Sequence, residues 1–208
     1  MKDKINIVWL KRDIRTRDHQ PLQEAEKDGL PYMIVYIFAP SLIAYPDTSE
    51  RHLQFIYHSL LDFNVKLKQF NREAVMFNSE AIEVFEFLAT QYEVSRVFSY
   101  EESGIRLSWE RDKIVSDLLI KNGVKWVEFK KNAVVRGIKN RNGWDDQWHE
   151  TMLQPQVKNQ FSINRLKWIR HPFPLKASFQ KMLSDYPKDF QPAGETYAWK
   201  YLASFTHE

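Results

Sequence analysis

The sequence predicts an α/β protein: a five-stranded parallel sheet with helices on both faces, Rossmann- or flavodoxin-like, followed by a mostly irregular C-terminal extension. Three observations carry this expectation. Five short runs rich in β-branched and aromatic residues recur up to residue 131, as buried parallel strands do. Segments of helical periodicity separate them, which is the pattern of strand–helix–strand units with right-handed crossovers. Beyond Lys131 the alternation stops and prolines and Asn-Gly turns take over.

Residues 4–10 form the first strand, almost continuously apolar. Asp18 is a candidate cap for a short helix that carries Pro21 near its start and ends at Gly29. Residues 32–38 are the second strand, stopped by Pro40. Leu53, Ile56, Leu60, Phe63, Leu67 and Phe70 then repeat at gaps of three and four, one apolar stripe of a long helix capped by Ser49. Residues 73–77 are the third strand. A helix starting at Ser79 carries Ile82, Phe85, Leu88, Ala89 and Tyr92, and residues 96–100 are the fourth strand. A helix over 106–121 presents Trp109, Val115, Leu118 and Leu119. Asn122-Gly123 ends it, and 124–129 is the fifth strand. Residues 132–174 show little periodicity, and short helices are expected near 175–183 and 195–205. The chain thus divides into an α/β domain, 1–131, and an extension, 132–208.

Composition excludes several chemistries. The 208 residues are 43% hydrophobic and 27% charged with a net charge of +3, an ordinary globular balance that permits a polyanionic partner without requiring one. No cysteine is present, so disulfides, thiolate metal sites and cysteine nucleophiles are ruled out. The six histidines are scattered; His52 and His58 are six apart, wrong for one helix face, and no metal site is expected. No apolar run reaches membrane-spanning length, and the first four residues lead straight into a strand, not a signal peptide. A cytoplasmic protein without a membrane partner is expected. The 7 Trp, 9 Tyr and 14 Phe serve either a packed core or a flat ligand.

The turn after the first strand, Lys11-Arg12-Asp13-Ile14-Arg15, contains no glycine. A dinucleotide fingerprint needs glycines there for the backbone to approach a pyrophosphate, so that fingerprint is missing, as is a Walker-type phosphate loop. Arg12, Asp13 and Arg15 share this turn, where they either brace it by charge-assisted hydrogen bonds or face a ligand at the carboxyl edge of the sheet. Arg51, at a helix start, and Glu101 and Glu102, after the fourth strand, are placed to reach the same edge. Ile37, Phe38 and Ile105 are candidate apolar walls. Such a rim around apolar walls is the arrangement that orients a polar, conjugated small molecule.

The string from Trp9 to Leu22 (Trp-Leu-Lys-Arg-Asp-Ile-Arg-Thr-Arg-Asp-His-Gln-Pro-Leu) closely resembles the opening signature of the photolyase/cryptochrome family. Tyr36-Ile37-Phe38-Ala39-Pro40, the segment from Ser49 to Leu60, Tyr100 to Ile105, and Trp109-Glu110-Arg111-Asp112 are similar to later stretches of that family. Arg136 to Trp144 resembles its bacterial cryptochrome-like branch, and Gly194 to Trp199 the lead-in to its helical domain. The resemblance implies the light-harvesting domain of a deoxyribodipyrimidine photolyase, cut before the helical domain that holds FAD and contacts DNA. It also admits the same domain of a cryptochrome photoreceptor. An unrelated nucleotide-binding domain is the third reading, and a glycine-rich loop would have favoured it.

On this resemblance no catalytic residue is expected in the chain. An antenna chromophore would contact Lys11, Arg12, Asp13, Ile37, Phe38, Arg51, Glu101, Glu102 and Ile105. The folate-binding subgroup carries Asn-Glu where this chain has Leu107 and Ser108, so a deazaflavin or flavin is expected rather than folate. The implied partners are DNA through the parent protein, the chromophore, and the helical domain. The basic and aromatic residues of the tail (Lys130, Lys131, Arg136, Lys139, Arg141, Lys158, Arg165, Lys167, Arg170, with Trp144, Trp148 and Trp168) are read as a linker packed on the domain in preference to a nucleic-acid site.

Overall fold

A computed structural model describes residues 2–131, 133–134, 139–162 and 170–206. The chain runs β1 (Lys4–Leu10), α1 (Gln20–Asp28), β2 (Tyr32–Ile37), α2 (Pro40–Ile43), α3 (Glu50–Leu67) and β3 (Ala74–Phe77). It continues through α4 (Ala81–Gln91), β4 (Glu93–Tyr100), α5 (Arg106–Lys121) and β5 (Lys125–Phe129), and the extension adds α6 (Trp144–Met152), α7 (Ala177–Ser184) and α8 (Glu195–Thr206). The sheet is parallel throughout, with order β3-β2-β1-β4-β5. This is the doubly wound topology expected from the sequence. The order reverses at β1, so the crevice beyond the carboxyl ends of β1 and its neighbours is the natural ligand position.

Strand pleat sorts side chains between two cores. Ile5, Ile7 and Trp9 point to one face and pack with α4 and α5 residues such as Phe85, Leu88 and Val115. Val8 and Leu10 point to the other, against Leu22 of α1 and Leu60 and Phe63 of α3. Val8 lies between Ile34 of β2 and Phe98 of β4. Each fully buried side chain of this size contributes about 1.5–3 kcal/mol from water exclusion. Asn6 is a buried polar residue in β1; its amide donates to Asp28 Oδ2 at 2.6 Å, which ties the end of α1 back to the sheet.

Several boundaries differ from the sequence expectation, each for a local reason. The cap of α1 is His19, not Asp18: Leu22 N donates to His19 Nδ1 at 3.2 Å. Asp18 instead takes a left-handed φ of 50°, and its Oδ1 accepts from Val157 N at 2.8 Å. The cap of α4 is Glu80, in a capping box with Glu83. β4 begins three residues before the expected Arg96; its first half combines exposed and half-buried residues and has Val94 as its one apolar side chain, so it carries no hydrophobic run. Trp109 is exposed; the buried stripe of α5 is Ser108, Asp112, Val115 and Leu119, which starts with two polar residues and so escapes an apolar count. Neither α2 nor α6 was expected. α2 has only four residues, and α6 buries no residue, so neither displays an inward stripe.

The extension lies along the α/β layers. Asn159 exchanges two hydrogen bonds with the backbone of His19. Phe173 O accepts from Asn78 N at 3.0 Å, and Gln54 of α3 donates to the carbonyls of Met182 and Asp185. Leu183 of α7 is fully buried in the α3 core. At the start of α8, Glu195 accepts from Thr16 N, Thr16 Oγ1 and Arg17 N, and pairs with Lys66 at 3.0 Å. Gly194 is required here: its φ is +104°, and a Cβ would lie 2.7 Å from that of Asp62. The expected contributions of Arg165, Lys167 and Trp168, and of Arg136-Gly137-Ile138, lie outside the described residues.

Truncating Leu183 to alanine is expected to cost about 2–5 kcal/mol, read as a lower urea midpoint with the α/β fold retained by circular dichroism. Burial alone would raise the Glu195 carboxyl, but the Thr16 and Lys66 hydrogen bonds outweigh it and hold it below its ordinary value of 4.5. Its stabilising contribution is therefore present above that value and lost as pH falls through the lower, folded-state value. Glu195→Gln should flatten the acid limb of a melting-temperature profile; an unchanged limb would contradict the assignment.

Candidate functional site

Two adjoining cavities open at the carboxyl edge of the sheet. The larger, about 650 Å³, lies beyond β1 and β2 and reaches the start of α5. The smaller, about 200 Å³, lies between the loops after β1 and β4. They share Lys11, Arg12 and Glu102.

The loop after β1 is built without glycine because ion pairs hold it. Lys11 runs inward, its side chain 3% exposed, and its Nζ donates to Asp112 Oδ2 of α5 at 2.7 Å. The same ammonium lies 4.6 Å from the Trp9 ring centroid and 5.0 Å from that of Trp126. Burial pushes the lysine pKa down against the opposing pull of Asp112. Asp13 is also buried and accepts from the Lys11 backbone N–H at 2.9 Å. Its other oxygen meets His19 Nε2 at 2.6 Å. Because His19 Nδ1 accepts from Leu22 N, the network assigns the ring proton to Nε2, which donates to Asp13. Burial alone would raise the Asp13 carboxyl; the His19 and backbone hydrogen bonds prevail and hold it below the usual range.

Glu102 occupies the junction of the cavities. Its side chain is 5% exposed, with Arg12 Nε at 2.9 Å and Arg111 at 3.7 Å. Arg111 also binds Asp112 Oδ1 at 2.6 Å and lies 4.8 Å from the Trp9 ring. A chain of alternating charge thus runs from Arg12 through Glu102, Arg111 and Asp112 to Lys11.

Of the nine residues singled out from the sequence, Lys11, Arg12, Ile37, Phe38, Glu102 and Ile105 line the larger cavity. Asp13 and Glu101 line the smaller one. Arg51 lines neither: it is exposed, with its guanidinium 4.5 Å from the Phe190 ring of the extension. Successive helix residues are about 100° apart, so placing His52, Phe55 and Ile56 on the cavity turns Arg51 toward the extension. Sequence reasoning missed that α3 face, together with Leu42 and Ile43 of α2 and Arg111. Phe55, an apolar residue off the main α3 stripe, was the one available signal. Among the described residues no cluster of three or more His, Asp or Glu could hold a metal ion, and no helix is long and apolar enough to cross a membrane.

A doubly wound sheet with a glycine-free, ion-paired turn after β1 defines an α/β domain distinct from the dinucleotide-binding kind. Residues 6–145 match the family model described as DNA photolyase, and the chain belongs to that family. Deoxyribodipyrimidine photo-lyase of Vibrio cholerae is 26% identical over 142 residues, covering 63% of this chain and 29% of that protein. Cryptochrome DASH of Gloeobacter violaceus is 25% identical over 118 residues, 54% of this chain and 24% of the relative. The fold is shared with an archaeal photolyase from Sulfolobus tokodaii, solved with two FAD molecules, at a TM-score of 0.71 and 17% identity; that match covers 95% of this chain and 46% of the other. The aligned part is therefore less than half of each of these proteins.

Replacing Lys11 with methionine, which keeps length and apolar packing, leaves Asp112 with Arg111 as its remaining buried partner. An expected loss of about 3 kcal/mol is measurable by chemical denaturation; stability equal to that of the native chain would refute the role assigned to the pair.

Proposed function

We propose that the chain is the light-harvesting α/β domain of a photolyase, residues 1–131, followed by a connecting segment, 132–208. Its cavity receives an antenna pigment, a deazaflavin or flavin ring rather than a folate. One observation carries this reading. The larger of the two cavities lies at the switch in strand order, with the apolar walls Ile37, Phe38, Leu42 and Ile43 under the charged rim of Arg12 and Glu102. Its volume and mixed lining fit a flat, conjugated ring. Ser108, where the folate subgroup carries an acid, is buried and donates to Ile105 O at 2.8 Å. The Sulfolobus photolyase, whose two FAD molecules imply a novel light-harvesting cofactor in that protein, supports a flavin-type occupant.

In such a protein a bound pigment supplies light absorption, and the residues here hold it in place and exclude water. No side chain needs to exchange a proton or an electron. The parent protein, on this reading, binds FAD in a helical domain and repairs pyrimidine dimers in DNA under blue light. The near-equal match to a cryptochrome supports the second reading, in which the same domain serves a photoreceptor.

Purified chain reconstituted with riboflavin or a deazaflavin should acquire near-ultraviolet or blue absorption that persists through gel filtration. Ile105→Trp, at a half-buried position on the cavity wall, should weaken uptake by about tenfold or more without lowering the melting temperature. A folded chain that stays colourless with every ring tested would defeat the pigment reading.

A further inference from the structure

Most polar groups on the lining of the larger cavity are committed to other contacts of the fold. The hydroxyls of Thr48, Ser59 and Ser108 donate to the carbonyls of Leu42, Phe55 and Ile105. Lys11 and Arg111 both bind Asp112, and Arg12 pairs with Glu102. Asp47 and His52 are exposed, where water serves them. Tyr36 differs. It lies inside the sheet near the end of β2, between Leu10 of β1 and Met76 of β3, and is 9% exposed. Phe38 meets its ring edge-on at 4.8 Å, which restricts the ring's direction. Yet among the described residues its hydroxyl has no hydrogen-bond partner, and it is not sealed off, so it opens into the cavity that the residue lines. A phenol buried to this degree ordinarily finds a partner. Tyr45, the other phenol on the lining, is only half-buried, on the loop after α2.

Resting on the pigment reading of this cavity, we propose that Tyr36 orients the bound ring, its hydroxyl donating a hydrogen bond to a ring carbonyl oxygen. Burial pushes the phenol pKa up; Arg111 and Arg12 pull it down, Glu102 and Asp13 push it further up, and burial decides the outcome. Near neutral pH the group is therefore an uncharged O–H donor. The walls beside it, Ile37 and Phe38, are apolar, so a single directional bond there selects which edge of a flat ring enters first. Because Tyr36 stands on a strand and not on a loop, the donor is in place before the ring arrives.

The test is Tyr36→Phe in the purified full chain, titrated with riboflavin or, if that does not bind the native chain, a deazaflavin; both carry ring carbonyl groups. Affinity should fall about fivefold. The carbonyl stretching bands of the bound ring should move up in frequency in infrared spectra, as the hydrogen bond is lost. The melting temperature of the ligand-free variant should not fall, since the hydroxyl serves no contact of the fold. An unchanged affinity, or unshifted bands, in a folded variant would overturn the role of Tyr36 and leave the pigment reading intact. A variant that melts well below the native chain or fails to fold would do the same, because the hydroxyl would then be structural. So would carbonyl bands in the native complex at the frequencies of the same ring in an aprotic solvent. Failure of both rings to bind the native chain would overturn the pigment reading and the role of Tyr36 together.

Discussion

The buried contact between Lys11 and Asp112 is the constraint on which the carboxyl edge of this domain depends. It joins the end of the central strand to α5 across 101 residues of sequence. An ammonium and a carboxylate removed from water are costly unless each is matched. Lys11 is matched by Asp112 and by the faces of Trp9 and Trp126, and Asp112 is matched again by Arg111. Shifting β1 by one residue would turn Lys11 to the opposite face and leave Asp112 without it. The pair therefore selects one register and one placement of α5, whatever its net contribution to stability.

The rest of the site follows from that placement. Once α5 is held by Asp112, Arg111 is carried over Trp9 and within reach of Glu102. Glu102 in turn pairs with Arg12 at the mouth of the cleft. The turn after β1 can then close without glycine, because Asp13 and His19 brace it from inside while His19 caps α1. A glycine-rich turn leaves room for a pyrophosphate; this one is filled by its own side chains. The extension builds on the same loop through Glu195, Thr16 and Arg17, so the cleft rim and the start of α8 share one braced segment.

Much of the fold was legible in the sequence because burial leaves a periodic trace. All five strands were found, since each crosses a core and carries apolar residues in a short run. α3 was legible from Leu53 to Leu67, where one face meets the sheet. What escaped had no such trace. α6 buries nothing, the first half of β4 has a single apolar residue, and the inward stripe of α5 begins with Ser108 and Asp112. The polarity of Asp112 is explained by an ion pair, and that of Ser108 by a bond to the Ile105 carbonyl; no local pattern reveals either.

The candidate site divides along the same line. Sequence alone established that the turn after β1 is charged and lacks glycine, that this differs from a dinucleotide fingerprint, and that the string from Trp9 to Leu22 carries a family resemblance. These are properties of neighbouring residues, and local order suffices to read them. Only the tertiary structure decided which charges meet. It turned Lys11 inward, sent Arg51 to Phe190 instead of the cleft, and set Glu102 against the start of α5. Such choices depend on helix rotation and strand order, which bring together residues as distant in sequence as Lys11 and Asp112, and no local pattern encodes which of several like charges will be nearest.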